Sequence, residues 1–439
     1  LLRIFFIVVT VIAILNSIII GPYGFSPSPY PAVTVYEKDM AFNGYTLYSS
    51  LAGDKSMGSE GVVYLVDMEG NIVHRWLTDH VPGDHGHLLP DGTLLFSGVV
   101  NTGPSPGGGK GGVIQEIGWN GTVLWEYSDD RMHHDHFRMP DGNTLAIVWE
   151  SLPADFSGRI PGGIPGTEDA GSMWSDAIIE IDRNGSVVWE WHCHEHLDPE
   201  KYTIHSLDKR NEWTHVNSVK YIPAGNMFNG RESILISIRE LDTVAIIDKG
   251  TGDIVWEWGH GILNHQHDAR MLDNGNILIY NNYENDDSLV KTGGLLPHSS
   301  VIEVDPRTGD IVWRYDIESE DGTIFFSCLI SGASRLPNGN TLICEGCSGR
   351  IIEVTPDKKI VWEFTNPCYP VSLKGNSVYR AYRYGPEEID WPEDFLSPGH
   401  NGTSLPGPSA ADFAGSVIIR AGATGLNMLY HIKEILEGF

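Results

Sequence analysis

Short apolar-polar alternations broken by Gly, Pro, Asn and Asp recur along most of the chain, predicting strands and tight turns. One apolar-apolar-aromatic phrase ends each of six similar segments. It reads Ile72-Val73-His74-Arg75-Trp76, Val123-Leu124-Trp125-Glu126-Tyr127 and Val187-Val188-Trp189-Glu190-Trp191, then Ile254-Val255-Trp256-Glu257-Trp258, Ile311-Val312-Trp313-Arg314-Tyr315 and Ile360-Val361-Trp362-Glu363-Phe364. Successive tryptophans lie 49, 64, 67, 57 and 49 residues apart. Units of this length with four short strands each predict an all-β propeller. In each unit a first hairpin turns at a signal such as Leu89-Pro90-Asp91-Gly92, Pro140-Asp141-Gly142-Asn143, Asp273-Asn274-Gly275-Asn276 or Pro337-Asn338-Gly339-Asn340. A second hairpin leads into the tryptophan strand. Six tryptophan strands stand against five uninterrupted first hairpins. The sixth must join Ser377–Arg383 to Tyr45–Tyr48, closing six blades over about 41–390 and leaving no open edge.

The ends read differently. Residues 1–20, LLRIFFIVVTVIAILNSIII, carry Arg3 as their one charge and are long enough to span a bilayer. The run exceeds the apolar core of a signal peptide, and no A-x-A-like site follows it directly, so 1–21 is read as a retained transmembrane helix. Its short basic start favours a cytoplasmic N-terminus and an extracytoplasmic propeller on a single-pass anchor. Residues 22–40, Pro-rich at first, are expected to form an extended linker. The sequons at Asn120, Asn184 and Asn401 suit that side, although N-G-[ST] is also hairpin chemistry. Beyond a Pro/Gly stretch within 391–439, Leu426, Leu429, Ile432 and Leu436 recur at helical spacing. That C-terminal helix can dock on the propeller or meet a protein partner or the membrane.

Composition narrows the classes of function. A net charge of −29 excludes nucleic acid as a partner and means that any anion site must be made by local cations. With five cysteines, at least one lacks a partner within the chain; Cys344-Glu-Gly-Cys347, without a second such pair, is read as a structural thiol pair or disulfide rather than a zinc site.

Histidine supplies the candidate chemistry. Counting eight residues back from the turn glycine gives His134 from Gly142 and His267 from Gly275, each followed by Asp. His215 holds the corresponding place in the third unit, Asp84 in the first with His85 and His87 alongside, and Ser331 in the fifth. The first strand of a propeller blade is innermost, so His134, His215 and His267 are expected to converge at the channel mouth. Neutral imidazoles there can serve as nucleophile or acid-base groups, or can hold zinc or copper. No cofactor is predicted. The cluster His192-Cys193-His194-Glu195-His196 follows a tryptophan strand and is expected on a surface loop.

Three stretches resemble the arylsulfate sulfotransferase family: Trp213–Ser218, His265–Arg270 and Ile330–Leu342. The resemblance, over about 45–385, implies a six-bladed propeller that moves a sulfuryl group between phenols, without a nucleotide donor, through a sulfated histidine. It carries histidine roles onto His215 and His267, with His134 beside them. Two family features are missing: the later histidine is Ser331 here, and the arginine expected after the fourth-unit histidine is absent, Lys291 being the nearest base. Arg239 and Arg335 are the candidate sulfate clamps, and His87 a further substrate contact. Two other functions remain in view. One is a noncatalytic propeller serving as a binding or structural subunit. The other is a quinoprotein-type dehydrogenase, which the count of six opposes.

Overall fold

The tryptophan phrase forms the fourth strand of each of six antiparallel sheets in the computed structural model, which describes residues 32–51, 60–283, 298–316, 324–367, 376–393, 395 and 403–404. Blades 1 to 5 begin with the strands Pro82–Leu88, Met132–Arg138, Val216–Ile222, His267–Met271 and Gly332–Arg335. Blade 6 begins with Val378–Tyr384 and continues through Tyr45–Ser50, Gly61–Val66 and Asn71–Thr78. Tyr45 pairs with Tyr384 and Leu47 with Tyr382, so the two ends of the propeller share one sheet as expected. Each first strand touches the first strand of the next blade, around to Val378–Tyr384 against Pro82–Leu88. These six strands line the central channel.

Second strands are covered by neighbouring blades on both faces, which explains their near-continuous apolar runs. Every residue of Ser233–Ile238 is buried. Burying each Ile or Leu stabilises the fold by roughly 1.5–3 kcal/mol. The hairpin turns demand left-handed backbone at Gly142 (φ 94°) and Gly275 (φ 84°), where a side chain would be strained.

The recurrence of a tryptophan in every blade has a mechanical cause. Each indole Nε1–H donates to a backbone carbonyl in the outer turn of the next blade. The bonds run Trp76 to Gly118 (3.1 Å), Trp125 to Arg183 (3.1 Å), Trp189 to Lys249 (3.0 Å), Trp256 to Pro306 (3.0 Å), Trp313 to Pro356 (2.9 Å) and Trp362 to Met68 (2.8 Å). Six blades are thereby clasped head to tail. Exposed Asn120 and Asn184 lie in such outer turns, where the Asn120 side chain accepts from Thr122 N.

Some expectations change. Within the 22–40 linker, Val33–Tyr36 is a strand, paired with Ile360–Thr365 as a fifth strand of blade 5. Thr403–Ser404 likewise extends blade 6. Cys347 faces Cys328, Sγ to Sγ 3.7 Å, while Cys344 donates toward Val378 O, so the pair expected at 344 and 347 is replaced by 328 and 347. The anchor at 1–21, the C-terminal helix, Asn401 and Lys291 lie outside the described residues. Among the described residues no helix is long and apolar enough to cross a membrane.

Candidate functional site at the channel mouth

His134, His215 and His267 sit where three first strands begin, all nearly buried. His134 and His215 meet edge to face with ring centroids 4.5 Å apart, and His267 is near enough that a proton on its ring would disfavour one on His134. The backbone bends sharply here: His134 (φ 56°), His215 (φ 50°), Asp268 (φ 52°) and Ser331 (φ 87°) are left-handed. Such conformations cost about 1–3 kcal/mol each for non-glycine residues and are held only where surroundings impose them. The strain falls at the matching point in blades 2, 3 and 5 and one residue beyond it in blade 4.

The partners of each imidazole set its chemical state. His215 Nδ1 donates to Glu212 Oε2 at 2.7 Å, and Trp149 Nε1 holds the other carboxylate oxygen at 2.8 Å. Burial opposes a charge on His215, but the charge and hydrogen bond of Glu212 outweigh it and raise the pKa above 6.5. His267 is opposite in character. Its Nδ1 lies 2.7 Å from Asn282 Oδ1, while the Asn282 amide nitrogen donates to Ser327 O (2.8 Å) and Ile330 O (3.1 Å). Those two carbonyls fix the amide orientation, so Oδ1 accepts, His267 Nδ1 bears the hydrogen and Nε2 carries the lone pair. Burial, then the charge of Arg239, holds His267 well below 6.5 and neutral. His134 is also pushed well down by burial and by His215; its Nδ1 is 2.6 Å from His133 Nδ1. His133 Nε2 in turn lies 3.0 Å from Asp176 Oδ1, off the line of a good hydrogen bond.

The positive charge of Arg239 acts on all three imidazoles. Its guanidinium is paired with Glu240, and His265 Nε2 with Asp208 Oδ2 at 3.1 Å, on the same rim. Residues 101–112 close over the site with a run of glycines. Gly109 O accepts from His134 N at 2.8 Å, and a Cβ on Gly109 would stand 2.3 Å from the His134 ring. A Cβ on Gly107 would stand 1.8 Å from Glu212 Oε2. Only glycine allows this backbone to lie on both groups.

Below the mouth the channel is plugged. Buried Arg380 reaches Asp135 Oδ2 (2.9 Å), lies 3.2 Å from Asp268 Oδ1 and donates to Asn217 O (2.9 Å). Lys220 Nζ also bonds Asp135 Oδ2 (2.6 Å), and Arg270 Nε bonds Asp268 Oδ2 (2.9 Å). Burial would raise the Asp135 pKa, but Arg380 and Lys220 hold it well below the usual carboxylate range.

Two predicted site residues do not join the mouth. His87 stacks on His85 and His136 and faces Tyr382, on the far side of the plug. Arg335 ion-pairs with Glu303 Oε2 (2.6 Å) and covers the Trp313 ring at 4.9 Å, binding blade 5 to blade 4 near the turn end of its strand. Among the described residues, three groups have ligand atoms near enough for a metal: His85, His87 and His136; Glu150, His192 and His194; and Asp208, Glu240 and His265. The second is on the outer part of blade 2, where the cluster expected on a surface loop instead ends the strand Val187–His192 and forms the short helix Cys193–His196, with Cys193 buried in the core.

A sequence profile of the arylsulfotransferase (ASST) family matches residues 85–367. The chain belongs to the arylsulfotransferase family. No curated protein sequence matches it. Solved structures with a similar course include a protein of unknown function from Bacteroides caccae, at 14% identity over 77% of this chain and 98% of that one, TM-score 0.46. A streptogramin B lyase follows at 13%, covering 76% and 87%, TM-score 0.40. The virginiamycin B lyase of Staphylococcus aureus has 11%, 73% and 88%, with TM-score 0.38.

Within this arylsulfotransferase-family propeller, blade 5 departs most from the other mouth strands. Ser331 has the same strained bend, but its hydroxyl donates toward Leu329 O (3.3 Å) and accepts from Gly346 N (2.9 Å), a structural use. Glu212, Asn282, Asp176 and the glycine-rich roof were not singled out in the sequence. The Gly-Gly-Gly-Lys-Gly-Gly run at 107–112 was the one visible signal among them.

Proposed function

We propose that the propeller is an aryl-sulfate sulfotransferase that needs no nucleotide donor and passes the sulfuryl group through His267. The observation that carries this reading is the opposed state of two imidazoles at one mouth. His267 is held neutral with its lone pair on Nε2, whereas Glu212 favours the protonated form of His215. In the first half-reaction His267 Nε2 attacks sulfur, the bond from sulfur to the aryl oxygen breaks, and His215 gives its Nε2 proton to the departing phenolate. In the second, an acceptor phenol attacks the sulfur, the nitrogen-sulfur bond breaks, and His215 takes the phenol's proton. Arg239, exchanging Glu240 for the ester, would stabilise the charge on the nonbridging oxygens. The glycine-rich segment 101–112 would have to lift to admit substrate. An anchor over 1–21 would hold the propeller outside the membrane, a part of the reading supported by the apolar run and tested by protease protection of sealed vesicles.

The experiment is incubation with a chromogenic aryl sulfate and a phenol acceptor, followed by mass analysis of the peptide containing His267. A sulfuryl adduct there, and turnover reduced by several orders of magnitude in His267→Ala, are expected. His215→Ala should cost about 10²–10⁴-fold. The structural use of Ser331 where the family has a histidine favours one rival, a noncatalytic binding propeller. Absence of turnover across several aryl sulfates would establish that rival instead.

A further inference from the structure

The channel end beyond the Arg380 plug holds a second histidine group that sulfuryl transfer does not use. We propose that His85, His87 and His136 bind one divalent transition-metal cation of the zinc type, clasping blades 1 and 2 at the end opposite the mouth. Each offers a ring nitrogen, and the three nitrogens lie within 4.8 Å of one another. A tetrahedral zinc with bonds of 2.0–2.1 Å needs its nitrogens about 3.4 Å apart, so the nitrogens must close by about 1 Å as the rings reorient. The rings are stacked, His85 on His136 at 4.9 Å and 9°, His87 on His136 at 5.4 Å and 24°, so binding requires the rings to turn out of the stack until their in-plane lone pairs converge on one ion.

Two further observations point to a ligand. His136 Nε2 is buried with no hydrogen-bond partner among the described residues, a state that costs about 1–3 kcal/mol unless something binds there. His85 already has the outer partner of a metal-bound histidine. Its Nε2 lies 2.8 Å from Asp135 Oδ1 and 3.3 Å from Arg380 Nη1; the shorter contact, to an ionised carboxylate, favours the hydrogen on Nε2, and the arginine is held by Asp135 Oδ2 instead. The lone pair is then on Nδ1, where Tyr382 OH now donates at 3.0 Å. A cation would take that lone pair and leave the phenol beside its fourth, open position. Half-buried His87 gives a path of entry. The donor set is all imidazole, which suits zinc, copper or nickel rather than magnesium or calcium. Nearby Arg270, Arg380 and Lys220 balance Asp84, Asp135 and Asp268, so no excess of negative charge draws the cation in and the affinity should be below that of a thiolate site.

The test uses the full chain, stripped with chelator and titrated with Zn²⁺ and, for its visible spectrum, Co²⁺. One equivalent should bind with an intense tetrahedral cobalt band. Both should vanish in His136→Ala and in the bulkier His136→Gln, whose metal-free melting temperatures show whether folding survives. Both should persist in His194→Ala, which removes the outer group of blade 2. A cobalt spectrum that is absent in the parent, unchanged by the His136 substitutions or lost in His194→Ala would overturn the proposal. So would a melting temperature raised by sulfate and not by zinc, which would make the group an anion site.

Discussion

At the mouth of the channel, His215 donates to a carboxylate and His267 to an amide, so each ring has one nitrogen committed and a defined state at the other. At the far end, His85, His87 and His136 lie stacked, and one buried nitrogen has no partner among the described residues. The residue type is the same and the first strands are the same. The difference comes from what the loops add. Glu212, Asn282 and Arg239 reach the mouth from segments between strands, whereas the far end is furnished almost wholly by the strands themselves. Loops therefore supply the asymmetry of charge that acid-base work needs, and the barrel of strands supplies a symmetric cage better suited to a spherical ion.

The comparison can be broken at the plug. Arg380→Met would leave Asp135 and Asp268 buried with weakened pairing and let the two ends communicate. Removing one partner of a buried ion pair typically costs about 3–5 kcal/mol. Chemical denaturation should show a loss of that size, and a midpoint equal to the parent's would mean that the layer is hydrated and separates nothing.

A smaller change sharpens the contrast within the mouth. In Glu212→Gln, His215 loses the charge that outweighs its burial, so its pKa falls. The general acid acts in its protonated form, which is lost as pH rises through that pKa. The alkaline limb of kcat/KM for the donor should accordingly move to lower pH. The acid limb, set by His267 gaining a proton at a pKa well below 6.5, should stay where it is. A pH profile in which neither limb moves would remove His215 from the acid's role.

The smallest effect tests the clasp outside the channel. Trp256→Phe keeps an aromatic ring but loses the bond to Pro306 O, a change of about 1 kcal/mol in stability with turnover intact. Thermal unfolding and a rate assay on the same sample distinguish this from a mouth variant.

The ring was legible because its cause is periodic. A tryptophan must reach the next blade at one place in each repeat, so six phrases gave six blades and the shared sheet followed from counting. The convergence of His134, His215 and His267 was legible for the same reason. Arg335 was misread because an arginine after a strand looks alike whether it clamps an anion or, as here, pairs with Glu303 across a blade boundary. His87 was assigned to the mouth because distance along the strand from the bends at His134 and His215 cannot be counted without knowing where the backbone turns left-handed. Glu212 and Asn282 are single polar residues in irregular segments. No period marks them, and their function lies only in whom they face.

The sheet that unites the two ends also sets a timetable for synthesis. Arg383 reaches Thr46 across 337 residues of chain. At about 5–20 residues per second, the ribosome needs on the order of 20–70 s to make that interval. Throughout it, the strand Tyr45–Ser50 has no inner neighbour, and its edge is available to any other unfinished chain nearby. Such long-range closure also folds slowly once synthesis ends. The same stitch that seals the finished molecule makes its nascent form dependent on protection, so yield in a foreign host should be limited by chaperone supply before it is limited by the stability of the product.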